Sequence, residues 1–296
     1  MQDSEERPQQ RSALVARELA RLDTDIAALS EVRFAEQGFI REGGACYILF
    51  WSGKNRDERR LSGVGFMIKT SIARKLQNLP IGHSDRLMSL RLPIQDNTFA
   101  TVITVYTPSL QAGTRVKEAF YCELHNSLKQ VDFKDKLLIL GEFNARVGRD
   151  FELWMGDLGR HGIGNYNDNG RLLLEFCPEH QPVITNTLFQ QKDRFKAPWR
   201  HPRSEHWHFL DYVLTRQHET RDVLHTRVMP SADCYTDHRL VRCKVAFAFK
   251  SPPKRKGLHT KRLQVHKLRN SRVRNNRQVM LEERLHYVTA TEPEEQ

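Results

Sequence analysis

Apolar residues recur along this chain in two different periods. Between residues 12 and 22 (SALVARELARL), Leu14, Ala16, Leu19, Ala20 and Leu22 fall on one helical face. Asp23 and Thr24 interrupt that face, and DIAALSE then reads as a buried strand ending at Glu31. Further strands are predicted over 45–51, 64–69, 87–92 and 99–106. Each is rich in β-branched or aromatic residues and bounded by Gly, Pro, Asn or Asp. Val116, Phe120, Leu124 and Leu128 predict a helix over 114–130. LLIL at 137–140 reads as a strand, followed by a polar, Gly-rich loop (156–170) and a helix from about 170 to 177. Strands over 183–185 (VIT), 209–215 (FLDYVLT) and 240–249 (LVRCKVAFAF) complete the pattern. Paired strands joined by turns, broken by a few helices, predict an α/β chain folded as a two-sheet α/β sandwich with helices outside.

The breaker-rich, charged segment SPPKRKG predicts that this domain, spanning 11–249, ends near Phe249. Residues 250–296 form a basic tail with weak helical spacing and too little apolar mass for a core, so a partly helical or disordered segment is expected. The tail carries 12 Lys and Arg against 5 Asp and Glu, and so holds most of the chain's net charge of +11. Such a tail favours polyanions, with Lys254, Arg255, Lys256, Lys261 and Arg262 as candidate nucleic-acid contacts. PPKRKGLHTKR is similar to a nuclear import signal, and it equally suits a phosphate-contacting linker or a solubilising tail. The apolar runs are too short to span a bilayer, and the opening MQDSEERPQQR is too acidic and polar for a secretory signal. A nuclear or cytoplasmic protein, not secreted and not membrane-bound, is expected. Five scattered cysteines without CxxC spacing argue against zinc fingers and disulfide frameworks, and predict reduced, mostly buried thiols.

Chemistry enters where polar residues meet strand ends. Glu31 follows AALS, Tyr106 follows ATVITV, and Glu142 and Asn144 follow LLILG. Asp211 falls within the otherwise apolar FLDYVLT, and Asp237-His238 precedes the last long strand. Carboxylates at such positions lose hydration unless a cation or hydrogen-bond partner compensates. Taken singly, Glu31 is explained by a solvated loop and Asp237-His238 by a turn; the set together points to an oxygen-rich site. Such sites suit Mg²⁺, which takes one or two carboxylates together with water and substrate phosphate. A histidine beside a carboxylate is held charged or in one tautomer, ready to contact phosphate. His201, His206 and His208 are read as packing and surface residues; Trp51, Trp199 and Trp207 suit packing better than base stacking. With no Gly-rich phosphate loop of the nucleotide-binding kinds, no small-molecule cofactor is expected.

The strings ALSEVR, VYTP, LLILGEFNARVG, VITNTLF, HFLDYVL and TDHRLV resemble, in order, the motifs of the endonuclease/exonuclease/phosphatase superfamily. The wider text GRHGIGNYNDNGRLLLEFC, WRHPRSEHWHFLDYVL and DCYTDHRLVRCKV is similar to the endonuclease domain of long-interspersed-element retrotransposons. The resemblance implies a sandwich that cleaves nucleic-acid phosphodiesters, DNA in particular, with Mg²⁺ or Mn²⁺. By motif position Glu31 is the principal metal ligand, Asp237 lies beside the metal, and Tyr106 contacts phosphate. Asn144 helps hold water and phosphate, and Asp211 orients His238, which contacts the scissile phosphate and stabilises the transition state.

Three departures stand out. The family pattern GDFNA reads Gly141-Glu142-Phe143-Asn144-Ala145 here. The added methylene moves the carboxylate by about 1 Å, a misplacement worth on the order of a hundredfold in rate. The family's opening strand, whose asparagine supports the metal, has no counterpart, which implies an unpaired sheet edge. Pro198 stands where a hydroxyl residue is usual. Three readings follow: an impaired Mg²⁺-dependent endonuclease acting on DNA, an inactive copy that binds nucleic acid or a protein partner, or a phosphoesterase acting on small esters. The fold alone does not choose among them.

Overall fold

The structure is a computed structural model and describes residues 8–95, 98–200, 205–233 and 236–248. The tail, with Lys254, Arg255, Lys256, Lys261 and Arg262, lies outside these residues, as do Cys234 and His201.

Helix α1 (Pro8–Arg21) precedes four strands, β1 (Ile26–Ser30), β2 (Gln37–Glu42), β3 (Tyr47–Ser52) and β4 (Val64–Lys69). A single turn, α2 (Thr70–Ala73), leads to β5 (Ile81–Gly82), β6 (Leu87–Pro93), β7 (Phe99–Tyr106) and helix α3 (Thr114–Lys129). Next come β8 (Lys136–Glu142), the short β9 (Val147–Gly148) and β10 (Ile163–Tyr166), and helix α4 (Asp168–His180). The last strands are β11 (Pro182–Ile184), β12 (Trp199–Arg200), β13 (Trp207–His208), β14 (Asp211–Arg216), β15 (Val223–Val228) and β16 (Val241–Val245).

Two sheets dominate, a four-stranded one ordered β1-β4-β3-β2 and a six-stranded one ordered β11-β14-β8-β7-β6-β5. Their strands obey the alternation that a pleated backbone imposes. In β3, Ile48 and Phe50 face the space between the sheets, while Tyr47 and Leu49 face outward onto Ala16 and Leu19 of α1. In β7, Val102 and Tyr106 point inward, while Ile103 and Val105 meet Phe120 and Leu124 of α3 and Leu173 and Leu174 of α4. The result is helix, sheet, sheet, helix, the expected sandwich. Each buried Leu, Ile or Phe contributes roughly 1.5–3 kcal/mol by leaving water.

Local signals locate the ends. Asn167 caps α4 by accepting the Gly170 N–H (2.8 Å). Strand β1 forms one edge of its sheet, with β4 as its neighbour. The structure corrects several boundaries. The pattern places Asp211 inside a strand, but it is the first residue of β14, because Leu210 already turns its carbonyl to the Phe143 N–H (2.8 Å). The last strand stops at Val245 rather than running to residue 249. Cys46 and Cys122 are exposed thiols, while Cys177 is buried and Cys243 half-buried. No described helix is long and apolar enough to cross a membrane.

Candidate active site

Three strand ends build the site by register. β7 runs parallel to β8 with Tyr106 opposite Glu142, and β14 runs antiparallel to β8 with Asp211 opposite Glu142. Tyr106, Glu142 and Asp211 therefore stand in one row across adjacent strands. Their parity matches Val102, Leu138 and Val213, so all three project between the sheets. Gly141 permits the row: its φ is +144°, and a Cβ there would lie 2.0 Å from the Val105 carbonyl oxygen.

The other sheet supplies Glu31, one residue beyond β1. The Tyr106 hydroxyl donates to Glu31 Oε1 (2.6 Å), joining the two layers, and Arg33 approaches Glu31 Oε2 (2.7 Å). Arg86 donates to the Tyr106 carbonyl (3.0 Å) and lies 5.0 Å from the centre of its ring. Burial first, then the Glu31 contact, pushes the Tyr106 phenol well above its usual value, so it stays a donor.

His238 arrives on the loop before β16. Its Nδ1 sits 2.8 Å from Asp211 Oδ2, and its Nε2 lies 3.9 Å from Glu142 Oε1. Burial alone lowers the imidazole pKa, but the Asp211 hydrogen bond and charge, aided by Glu142, raise it to about 9. Burial, then Asp211's charge, pushes Glu142 up to about 8. The imidazolium is thus stabilised, while the carboxylates crowd one another.

Asn144 holds its side chain by donating to the Thr107 carbonyl (2.9 Å), while Asn169 Nδ2 donates to the carbonyls of Asn144 (3.1 Å) and Pro108 (3.0 Å). Glu31 (φ 53°) and Asn144 (φ 46°) both adopt left-handed backbone, a conformation disfavoured for side-chain-bearing residues and common at functional sites. Asp237 Oδ2 accepts from Trp199 Nε1 (2.9 Å), and the strand bearing Trp199 bridges to His238.

The structure therefore brings Glu31, Tyr106, Glu142, Asp211 and His238 to one end of the sandwich, with Asn144 on the adjoining loop and Asp237 next to His238. Ligand atoms of Glu142, Asp211 and His238 all lie within 4.8 Å of one another. The carboxylate oxygens gathered here suit a divalent cation, because burial and the charge of Asp211 raise the Glu142 carboxyl and His238 offsets this only in part. Of the two expected metal residues, Glu31 accepts from the Tyr106 hydroxyl and Asp237 from the Trp199 indole. Sequence reading missed four supports. Arg86 steadies Tyr106, and Asn186 accepts the Val213 N–H (2.9 Å) and donates to the Asp211 carbonyl (3.1 Å). Asn169 fixes the Asn144 loop, and Trp199 fixes Asp237. For Trp199 the sequence carries no signal, since it lies 38 residues before Asp237 and pairing through an indole N–H leaves no periodic trace. Among the other aromatics, Trp51 stacks on Phe34 (4.5 Å), His208 lies 5.9 Å from Trp199, and Trp207 is exposed beneath Arg239 (3.8 Å).

A sandwich with polar groups gathered at one strand end defines a class, and comparison with known proteins agrees. The endonuclease/exonuclease/phosphatase family matches residues 2–238. The chain belongs to that family. Craniofacial development protein 2 of Bos taurus is 33% identical over 245 residues, covering 81% of this chain and 39% of that protein. The chain thus spans well under half the length of this relative. In solved structures the fold is similar to the 3′ phosphatase NExo from Neisseria bound to a product DNA hairpin, with TM-score 0.59 and 17% identity over 80% of this chain and 95% of that one. The endonuclease domain of TRAS1, a telomere-specific non-LTR retrotransposon, has TM-score 0.53 and 12% identity over 82% and 93%. The neighbours are nucleases and a phosphatase of this fold.

Proposed function

We propose that this chain is a Mg²⁺- or Mn²⁺-dependent phosphodiesterase that nicks DNA, slowed by Glu142. The observation that carries the reading is the row Tyr106–Glu142–Asp211, closed by Glu31 from the second sheet and His238 from the loop before β16. An ion held there would supply charge neutralisation at a phosphoryl oxygen and a more acidic water. Glu31 is the principal ligand, aimed by the Tyr106 hydroxyl, with Asp237 beside it. Asn144 positions water and phosphate. Asp211 accepts from His238 Nδ1, which orients the ring and keeps it cationic, so that its Nε2–H stabilises charge developing on the phosphate.

The same geometry supports impairment. Glu142 reaches to 3.9 Å from His238 Nε2, the atom needed by the phosphate. The longer carboxylate competes with substrate for that donor. This favours a second reading, a chain that binds nucleic acid without cutting it, with the domain over 11–249 and the basic tail over 250–296 sharing contacts.

The test incubates the protein with supercoiled plasmid and Mg²⁺, beside Glu31→Ala, His238→Ala and Glu142→Asp. Nicking lost in the first two and raised in the third is the expected result. Absence of nicking in every form refutes it; salt-sensitive DNA binding weakened by removing 250–296 then supports the second reading. Phosphate release from small esters without nicking points instead to small-ester hydrolysis.

A further inference from the structure

Beyond Asn144 the chain makes a long excursion before returning to α4, and both ends are fastened. The Arg146 N–H donates to Asn167 Oδ1 (3.0 Å), and the Asn167 N–H donates to the Arg146 carbonyl (3.0 Å). Within the excursion, β9 and β10 pair out of register, with Gly148 opposite Ile163 but Val147 opposite Tyr166. Beside this irregular pair lies a hollow of about 710 Å³, within the size range of sites that enclose small molecules.

Its lining includes Arg149, Phe151, Arg160, Asn165 and Tyr166. Tyr166 is 47% exposed. Arg160 lies 5.2 Å from the centre of the Phe151 ring, a cation–π contact that steadies the guanidinium. Asp150 and Glu152 also line the hollow, and Asp150 Oδ1 accepts the Leu153 N–H (3.3 Å). Two cations thus face two anions. A bare polyanion gains little from such a balance. A nucleobase gains more, because its edge presents donors and acceptors together and its face stacks on an exposed ring.

The hollow is also close to the candidate chemistry. Gly148 follows Asn144 by four residues, a reach of at most about 14 Å. At roughly 3.4 Å of rise per nucleotide, that is within about four nucleotides of the scissile phosphate. Leu153 and Met155, 62% and 71% exposed, stand on the same excursion. Apolar side chains so placed suit wedging between base steps, which frees a nucleotide from its stack.

We propose that this hollow binds one unpaired nucleotide of the DNA strand being cut, with the base on Tyr166 and its polar edge read by Asn165 and Arg160. The proposal rests on the nuclease reading above and adds a specificity subsite to it.

The test uses the full chain in EDTA with two short duplexes, one carrying a single bulged 2-aminopurine and one fully paired. Binding should quench the bulged base in the wild type and in Tyr166→Phe. Tyr166→Ala should bind the bulged duplex about 5- to 100-fold more weakly, the range of one lost base–aromatic stack. Its affinity for the paired duplex, and its melting temperature, should stay unchanged. Equal affinity of Tyr166→Ala and wild type for the bulge, or no wild-type preference for it, overturns the proposal. A plasmid-nicking assay run alongside separates the two claims. Nicking without bulge preference sinks the subsite alone, whereas bulge quenching without nicking sinks the catalytic reading alone.

Discussion

The contact between His238 Nδ1 and Asp211 Oδ2 (2.8 Å) sets the protonation of the site, and Asp211→Asn is the change that isolates it. The amide keeps the shape and removes the charge. Burial opposes the imidazolium, and Asp211 is the main group that overrides it to bring His238 to about 9. Without that charge the imidazole should fall toward its ordinary 6.5. The difference corresponds to about 3 kcal/mol at 1.36 kcal/mol per pH unit. Because the folded value lies above the unfolded one, this stabilisation is complete below pH 6.5, declines between 6.5 and 9, and vanishes above 9. The gap in unfolding free energy between wild type and Asp211→Asn should therefore be widest near pH 6 and narrow toward pH 9.5. Two measurements check it in metal-free protein: titration of the His238 ring by NMR, and urea denaturation across that pH range. A His238 that titrates alike in both proteins, or a gap that widens with pH, refutes the reasoning.

Further expectations are independent of that one. Trp199→Phe keeps an aromatic ring but deletes the donor to Asp237, and because that carboxylate is exposed the change should barely move the melting temperature while slowing nicking about tenfold. Gly141→Ala forces a Cβ onto the Val105 carbonyl and should cost several kcal/mol in a denaturant melt, since both strands must shift. Asp135 lies buried against Arg91 (2.6 Å) and Thr101 (2.9 Å). Although burial works to raise its pKa, those partners hold it below the usual carboxylate range. Asp135→Ala should destabilise by about 1–3 kcal/mol at pH 7, because the buried Thr101 hydroxyl loses its acceptor while the half-exposed Arg91 turns to solvent. The depressed value means that this stabilisation is present above pH 3.8 and is lost as pH falls through the folded pKa, as acid melts of the two proteins should record. Mg²⁺ added to the wild type should raise its melting temperature, with a smaller rise in Glu142→Gln.

The strands that carry the core were legible because their alternation is driven by burial. Strand β7 falls where FATVITVY places it, over Phe99–Tyr106, and α3 where Phe120, Leu124 and Leu128 place it. The strands that escaped notice bury one face weakly or hardly at all. Strand β2 (QGFIRE) alternates between exposed and half-buried positions at a sheet edge, and β15 (VLHTRV) hides its few buried positions among polar ones. The hairpin of β12 and β13 is two residues per strand, too short to show a period. At the site, residue types at strand ends marked the carboxylates and His238. Their alignment depends on pairing between strands far apart in sequence, which only the register of β7, β8 and β14 supplies. The pairing of Glu142 with His238 was likewise hidden, since side-chain reach is not written in spacing.

Glu31 directly follows β1, an edge strand among the described residues, while its partners ride on the interior of the other sheet. Strands at a border open more readily than those flanked on both sides. Heating should therefore peel this border away first, parting Glu31 from Tyr106 while β7, β8 and β14 remain zipped. Loss of ion affinity would then run ahead of melting, making the rim of the smaller sheet the thermal fuse of the whole centre.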